Sequence, residues 1–211
     1  MLTGLTQLKL LSNALTGQMP TELGYCTALS MYAANQNSLG GTIPTQFGCL
    51  GGTSTSLKLY LQNNDIGGLV PTQLGLLTSA IYFDIGENSL TGAIPTEFGV
   101  FTEVTTFQCT QNSLTGTIPT ELGNMASNSL SLEAQSNLLS GEIPTQLGLL
   151  TDVNYVGIKV DENKLCNDIP TQVRHGAQDR ARAMVKLEKF LCSRARPPEP
   201  FILLSRSRWR R

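Results

Sequence analysis

Residues 112–123 read NSLTGTIPTELG, and this segment returns with small changes along most of the chain. Residues 88–99 read NSLTGAIPTEFG, and residues 37–48 read NSLGGTIPTQFG. A unit of this length is too small to bury its apolar residues alone, so successive copies must stack on one another. The sequence therefore predicts a solenoid, whose seven copies begin at Asn13, Asn37, Asn64, Asn88, Asn112, Asn137 and Asn163.

The residues five and three before each of these Asn residues are mostly apolar, as at Phe83 and Ile85 or at Phe107 and Cys109. A spacing of two is expected where alternate side chains of a strand enter the core. Each copy should therefore contribute one short strand, and successive strands can pair in a parallel sheet at about 4.8 Å spacing. In this reading Cys109 is a small buried hydrophobe.

The polar residues of the repeat have predicted structural roles. The Asn stands where the strand ends, so its amide should satisfy backbone groups of its own coil and of the next. Pro fixes the following corner, and Thr is expected to cap a single helical turn. A regular row of Thr could instead match a crystalline ligand such as ice, but capping already explains it. The row comprises Thr21, Thr45, Thr72, Thr96, Thr120, Thr145 and Thr171.

A strand pattern, Asn, Leu-x-Gly-x-Ile-Pro and Leu-Gly recur in this order along the array. Segments such as residues 8–20 and 112–123 resemble the plant-specific class of leucine-rich repeats, also abundant in algae. The resemblance covers residues 5–173. It implies a leucine-rich repeat solenoid of the α/β type, with about seven repeats, a strand and a turn or 3-10 helix per coil, and the parallel sheet on the concave side. Members include receptor-kinase ectodomains, receptor-like proteins and inhibitors of cell-wall-degrading enzymes.

Charge and composition divide the chain into three parts. Residues 1–173 form the repeat array and carry 4 basic and 13 acidic side chains, a net charge of −9. Residues 174–192 are predicted to form an amphipathic helix that caps the array, and residues 193–211 a basic, disordered Pro/Arg-rich tail. The acidic array argues against nucleic acid as its partner, whereas the tail could contact an anionic surface. Residues 51–56, GGTSTS, are expected to form a flexible bulge in the longest coil.

The sequence favours neither catalysis nor metal binding. The five Cys residues form no CxxC pair and His175 is the only histidine, so we predict no metal site, no cofactor and no enzymatic activity. A disulfide between Cys26 and Cys49 in successive repeats is conceivable, but spacing alone cannot establish its geometry. The redox compartment therefore stays open.

A binding surface is the favoured functional hypothesis. Side chains six, four and two residues before each Asn should point out of the sheet and align between coils. They predict an aromatic and acidic ligand-binding patch on the concave face, for a protein or peptide partner. Ordinary cross-strand packing of the Tyr residues is the alternative for this patch. The predicted site residues are Tyr60, Tyr82, Asp84, Gln108 and Glu133.

Two further questions remain open at the level of sequence. The array could be a structural spacer within a longer leucine-rich repeat protein, or, as a less favoured reading, an enzyme inhibitor. The resemblance implies an extracellular or cell-surface location, yet the sequence contains no signal peptide, no apolar run long enough for a membrane span and no Asn-x-Ser/Thr sequon. Localisation and oligomeric state are therefore left unassigned.

Overall fold

Each repeat folds into one coil of a solenoid in the computed structural model, which describes residues 4–125, 130–150, 156–166, 170–173 and 184–186. Coils are numbered here by their Asn, from coil 1 at Asn13 to coil 7 at Asn163. The first strands of the seven coils join one parallel sheet in chain order, and an eighth strand from beyond coil 7 extends this sheet. These strands are β1 (Gln7–Lys9), β3 (Met31–Ala33), β5 (Leu57–Tyr60), β7 (Ala80–Asp84), β9 (Thr106–Gln108), β11 (Leu130–Glu133), β13 (Val156–Lys159) and β15 (Met184–Lys186).

A second short strand follows the Asn of each coil and pairs in smaller parallel sheets. These strands are β2 (Thr16–Gln18), β4 (Ser38–Gly40), β6 (Gly67–Leu69), β8 (Ser89–Gly92), β10 (Ser113–Leu114), β12 (Ser140–Gly141) and β14 (Lys164–Leu165). Strand β2 pairs with β4, strands β6 and β10 flank β8, and β12 pairs with β14.

A one-turn 3-10 helix after the Pro completes the coil. Pro is the N-cap residue of each helix, with φ between −62° and −66°, and the Thr is the first helical residue. The predicted capping role of Thr is therefore wrong, because no Thr side chain in these six helices caps the turn; the Thr120 hydroxyl, for example, contacts Glu121 Oε2 at 3.1 Å. The helices are η1 (Thr21–Tyr25), η2 (Thr45–Cys49), η3 (Thr72–Leu76), η4 (Thr96–Val100), η5 (Thr120–Asn124) and η6 (Thr145–Leu149).

The Gly of each 3-10 helix allows neighbouring coils to approach. A Cβ atom placed on Gly99 would lie 2.5 Å from the carbonyl oxygen of Glu121 in the next coil, closer than Cβ contacts occur. Gly48 and Gly123 are equally close to the backbone of Gln73 and Gln146. Gly stands at this position because any side chain would push the coils apart.

The Asn side chains link each coil to the one before it. Asn112 Nδ2 donates to the carbonyl oxygens of Thr110 in its own coil and Ile85 in coil 4, at 3.1 and 3.0 Å. Its Oδ1 accepts the backbone N–H of Leu90, also in coil 4, at 2.9 Å. The predicted role in bonding backbone groups is confirmed, but the partner coil is the preceding one. Asn13 Nδ2 donates to the carbonyl oxygens of Leu10 and Leu11 in coil 1, and within the described ranges it bonds no other coil.

The residue immediately before each Asn adopts the left-handed backbone conformation, although none is Gly. The φ angles lie between 50° and 60°, a region sparsely used by side-chain-bearing residues. The turn directs backbone N–H groups at the next coil; Gln111 N–H, for example, donates to the carbonyl oxygen of Gln135 at 2.9 Å. The residues are Ser12, Gln36, Asn63, Glu87, Gln111, Ser136 and Glu162.

The core fills the space between the large sheet and the 3-10 helices. Phe83 and Phe107, predicted from the spacing before Asn, are fully buried, and Cys109 is buried with them. Phe83 and Phe107 form an aromatic cluster with Phe98 and Phe101 in coils 4 and 5. The centroids of neighbouring rings in this cluster are 5.1 to 5.6 Å apart. Stacking of coils thus gives a continuous core, as the repeat requires.

Two irregular segments differ from the sequence-based picture. The 51–56 segment is bonded to the preceding coil, since Thr53 donates from its N–H and its hydroxyl to the Thr27 carbonyl at 2.9 and 3.0 Å. In the predicted helix at 174–192, the structure describes only Met184–Lys186, and these form a strand paired in parallel with β13. The helix prediction is wrong for these three residues, because the edge of β13 offers them backbone hydrogen bonds. The rest of 174–192 and the 193–211 tail lie outside the described residues.

No helix within the described ranges is long and apolar enough to cross a membrane.

Candidate functional site

The side chains that point away from the core form the open face of the eight-stranded sheet. Backbone register aligns the residues four before each Asn into one row across the coils. The row begins with small or basic residues and becomes aromatic and acidic in the middle. In order it contains Lys9, Ala33, Tyr60, Asp84, Gln108, Glu133 and Lys159.

Tyr60 and Tyr82 form an aromatic pair on the open face. Their ring centroids are 4.4 Å apart with an interplanar angle of 30°, and both side chains are half-buried. Strand β7 carries a register shift next to Tyr82, where Leu57 pairs with Ala80 but Lys58 pairs with Tyr82. Such an irregularity re-aims the side chain that follows it. The tilted pair is thus an aromatic surface on the open face that is partly accessible to solvent.

Asp84 lies beside this pair and is almost completely buried, with 3% of its surface exposed. Its Oδ1 accepts the backbone N–H of Gly86 at 3.0 Å, and its Oδ2 lies 3.5 Å from the Tyr82 hydroxyl. Burial raises the pKa of Asp84 to about 6; the Gly86 hydrogen bond opposes this effect, and the charge of Glu87 adds to it. Burial and the Asp84 charge also raise the pKa of Tyr82 to about 12.

Gly86 makes the position of Asp84 possible. A Cβ atom on Gly86 would lie 2.8 Å from Thr110 Oγ1 and 3.2 Å from Asp84 Oδ1. Because this Cβ is absent, the carboxylate can turn back along its own strand to the Gly86 N–H. No other coil has Gly two residues before its Asn.

Glu133 is two coils further along the same row, and its charge is compensated. Lys159 Nζ lies 2.7 Å from Glu133 Oε1, and the Ser131 hydroxyl donates to the same oxygen at 2.9 Å. Burial alone would raise the pKa of Glu133, but the hydrogen bonds from Lys159 and Ser131 and the Lys159 charge lower it overall. Gln108 lies between the two acids in the row.

The five predicted site residues therefore all belong to the open face but form two groups. Tyr60, Tyr82 and Asp84 are together, whereas Glu133 is engaged by Lys159. Lys159 stands four residues before Asn163, so the sequence rule includes it in the same row, but it was not predicted as a site residue. Its shared register with Glu133 was a usable signal. The sequence analysis assigned no role to Gly86. The usable sequence signal was that no other coil has Gly two residues before its Asn.

The remaining chemistry of the described residues is sparse. They contain no cluster of three or more His, Cys, Asp or Glu side chains arranged to hold a metal ion. Cys26 is buried and Cys49 is exposed, and both are free thiols. The two occupy successive positions of their repeats, since Cys49 ends η2 whereas Cys26 follows the end of η1, and their side chains therefore point to different sides of the coil.

Comparison with known proteins identifies the architecture. No protein-family model matches the chain, and the curated protein sequences contain no match. Among solved structures, the plant peptide hormone receptor RGFR1 in complex with RGF2 is similar, with 33% identity and a TM-score of 0.70, over 83% of this chain. The Arabidopsis receptor kinase HAESA, in complex with the peptide hormone IDA and the co-receptor SERK1, gives 29% identity and a TM-score of 0.72 over 80% of this chain.

The chain folds as a plant-type leucine-rich repeat solenoid. Both receptor structures share its solenoid of strands and short turns. This leucine-rich repeat chain spans only 28% of the RGFR1 chain and 27% of the HAESA chain. A plant ice-binding protein is also similar, with 26% identity and a TM-score of 0.68, over 79% of this chain and 52% of that one.

Proposed function

We propose that the chain is a non-catalytic recognition module whose open face binds an extended segment of a protein or peptide. The observation that carries the proposal is the half-buried Tyr60–Tyr82 pair beside a buried carboxylate, in the middle of a regular polar sheet face. Tyr contributes large contact area and a hydrogen-bonding group while losing little side-chain entropy, and interfaces are enriched in it. The similarity to ectodomains crystallised with peptide hormones supports this class of partner.

The test is a selection of displayed random peptides against the intact chain, followed by calorimetric titration of the enriched peptides. Replacing both Tyr60 and Tyr82 by Ala should weaken binding by about 10-fold or more, since each interface anchor contributes at least about 1–2 kcal/mol. The matched control replaces Leu76 and Val100, exposed apolar residues at the ends of η3 and η4, by Ala. Equal losses in both double variants, with the fold retained, would place the binding surface elsewhere. A chain that enriches no peptide would favour the spacer alternative.

A second candidate function rests on the Thr row. The hydroxyls of Thr96 and Thr120 are exposed at the start of consecutive 3-10 helices and cap neither turn, so the structural role first assigned to them is absent. Regularly spaced hydroxyls and methyl groups offer a repeating surface to ordered water, and the similarity to a plant ice-binding protein supports testing this. If the Thr row binds ice, the chain should slow ice recrystallisation, and the double variant Thr96→Lys/Thr120→Lys should lose this effect. The Tyr60/Tyr82 double variant is its control, because those residues lie on the open face.

A further inference from the structure

We infer that the bound segment presents a cationic side chain, a guanidinium or an ammonium group, to Tyr60, Tyr82 and Asp84. These three residues are called the cation site below. The inference rests on the proposed function and adds the chemistry of the partner at one position. It follows from an uncompensated buried carboxylate, from the aromatic surface beside it and from the charge of the array.

The buried Asp84 carboxylate has two uncharged hydrogen-bond partners, the Gly86 N–H and the more distant Tyr82 hydroxyl. Neither partner carries a charge that could neutralise the carboxylate. Lys159 forms an ion pair with Glu133, whereas no residue in the described part of the chain forms an ion pair with Asp84. Lys58 is aligned with Tyr82 in the sheet register and makes no ion pair with Asp84. A buried carboxylate is costly unless a cation or a proton compensates it, so the site is poised to accept a cation.

The aromatic pair adds a second attraction for the same charge. The faces of Tyr rings carry negative electrostatic potential and attract Lys and Arg side chains placed over them. The row that contains Tyr82 continues with smaller residues, Thr106, Ser131 and Gly157. Space therefore remains above the sheet next to Tyr82, on the side away from Tyr60. A cation in this space would contact the face of the Tyr82 ring and at the same time approach Asp84.

The surrounding charge favours the same kind of partner. Residues 1–173 contain no Arg or His, and their 4 Lys residues face 13 acidic ones. One of those Lys residues, Lys159, is already engaged by Glu133. An acidic surface attracts cationic segments over a distance and repels anionic ones. An anionic group of a ligand would meet no cation at Asp84.

The direct probe is N-acetyl-arginine amide, titrated against the full chain carrying ¹³C-labelled Tyr and followed by NMR. We expect the Tyr60 and Tyr82 signals to shift and saturate, while the signal of Tyr25, exposed at the end of η1, stays unchanged. N-acetyl-citrulline amide has nearly the same shape without the charge and should cause no saturable shift. Equal shifts with citrulline, or equal shifts at Tyr25, would overturn the inference.

Asp84→Asn tests the carboxylate in the same titration. The apparent affinity for N-acetyl-arginine amide should fall about tenfold, since one charged partner is lost. Tyr25 and Tyr32 signals and a thermal melt report whether the variant is folded. Unchanged affinity in the folded variant would remove Asp84 from the site.

The peptide selection separates this inference from the proposed function. Enriched peptides should contain Lys or Arg, and changing that residue to Gln should abolish the difference between wild type and Asp84→Asn. Peptides that need Tyr60 and Tyr82 but lack Lys and Arg would keep the proposed function and overturn the cation site. Tighter binding of the arginine probe after removal of residues 187–211 would identify the Arg-rich tail as a competing occupant of the same site.

Discussion

Asp84 is a residue at which burial and charge oppose each other. Its pKa is about 6 in the folded chain, above the value near 3.8 of an unperturbed Asp. A raised carboxylate pKa means that the folded state prefers the protonated form, so this contribution to stability is present below about pH 4 and lost as pH rises through about 6. Such a residue weakens the fold at neutral pH, which is more readily understood at a binding position than at a structural one.

Asp84→Asn should therefore raise the free energy of unfolding at pH 8 by about 1–3 kcal/mol and leave it nearly unchanged at pH 4. The amide oxygen can still accept the Gly86 N–H. Urea unfolding at a series of pH values measures the difference. Glu133→Gln is the control with the opposite sign: its lowered pKa adds stability that is lost as pH falls, so this variant should be less stable at pH 8. A gain for Asp84→Asn that persists at pH 4 would contradict the argument.

Asn112 and Asn13 have the same place in the repeat but different numbers of partners. Asn112→Ala leaves buried backbone groups of coils 4 and 5 unpaired and should cost about 1–3 kcal/mol. Asn13 is exposed and bonds only its own coil, so Asn13→Ala should cost less than about 1 kcal/mol. Denaturant unfolding of both variants gives the comparison. Equal costs would mean that the bonds to the preceding coil carry little of the stability.

The residues that repeat were predictable from sequence, and those that differ were less so. The core positions of Phe83 and Cys109 and the bonding role of Asn112 followed from recurrence, because each coil supplies the same surroundings to the same position. The Thr prediction failed for a geometric reason: Pro already occupies the capping position, which leaves Thr one residue too far along. The hydrogen bond from Gly86 to the Asp84 carboxylate uses space that a Cβ on Gly86 would crowd, and that space also borders Thr110 in the next coil, which no single repeat reveals.

At the scale of elements, the 3-10 helices depend on their Gly residues. Gly99→Ala would place a methyl group against the backbone of Glu121, and backbone cannot move away as a flexible side chain does. The coils must separate or tilt, and we expect a loss of about 1–3 kcal/mol.

Gly52→Ala, just after η2, is the control, because a Cβ atom on Gly52 would lie at an ordinary 3.5 Å from the Cys49 carbonyl oxygen. Its unfolding midpoint should change little. Thermal unfolding of the two variants, monitored by circular dichroism, compares them directly. A Gly99→Ala variant as stable as the control would show that the coil spacing adapts to the extra methyl group.

The segment around Met184 shows that a tertiary contact can override a local sequence pattern. The apolar spacing of residues 174–192 indicated a helix, yet Met184–Lys186 pairs with β13 as the last strand that the structure describes. A hydrophobic period describes one face of a segment and contains no information about an unpaired strand edge nearby. Long-range pairing therefore overrides local preference there.

For the whole molecule, strand β15 extends the large sheet beyond coil 7. Its pairing with β13 satisfies backbone groups along Gly157–Lys159 that would otherwise form the edge of the sheet. Two truncations isolate the effect: removal of 187–211 retains β15, and removal of 174–211 deletes it.

The free energy of unfolding of the shorter chain should be about 1–3 kcal/mol lower than that of the chain that ends at Lys186, because the backbone hydrogen bonds between β13 and β15 are lost. Urea unfolding of the two chains measures the difference. Since each coil of a solenoid is stabilised mainly by its neighbours, the loss should be concentrated in coil 7 and fade toward coil 1. Hydrogen exchange that rises uniformly along the array would instead mean that the chain unfolds as one unit.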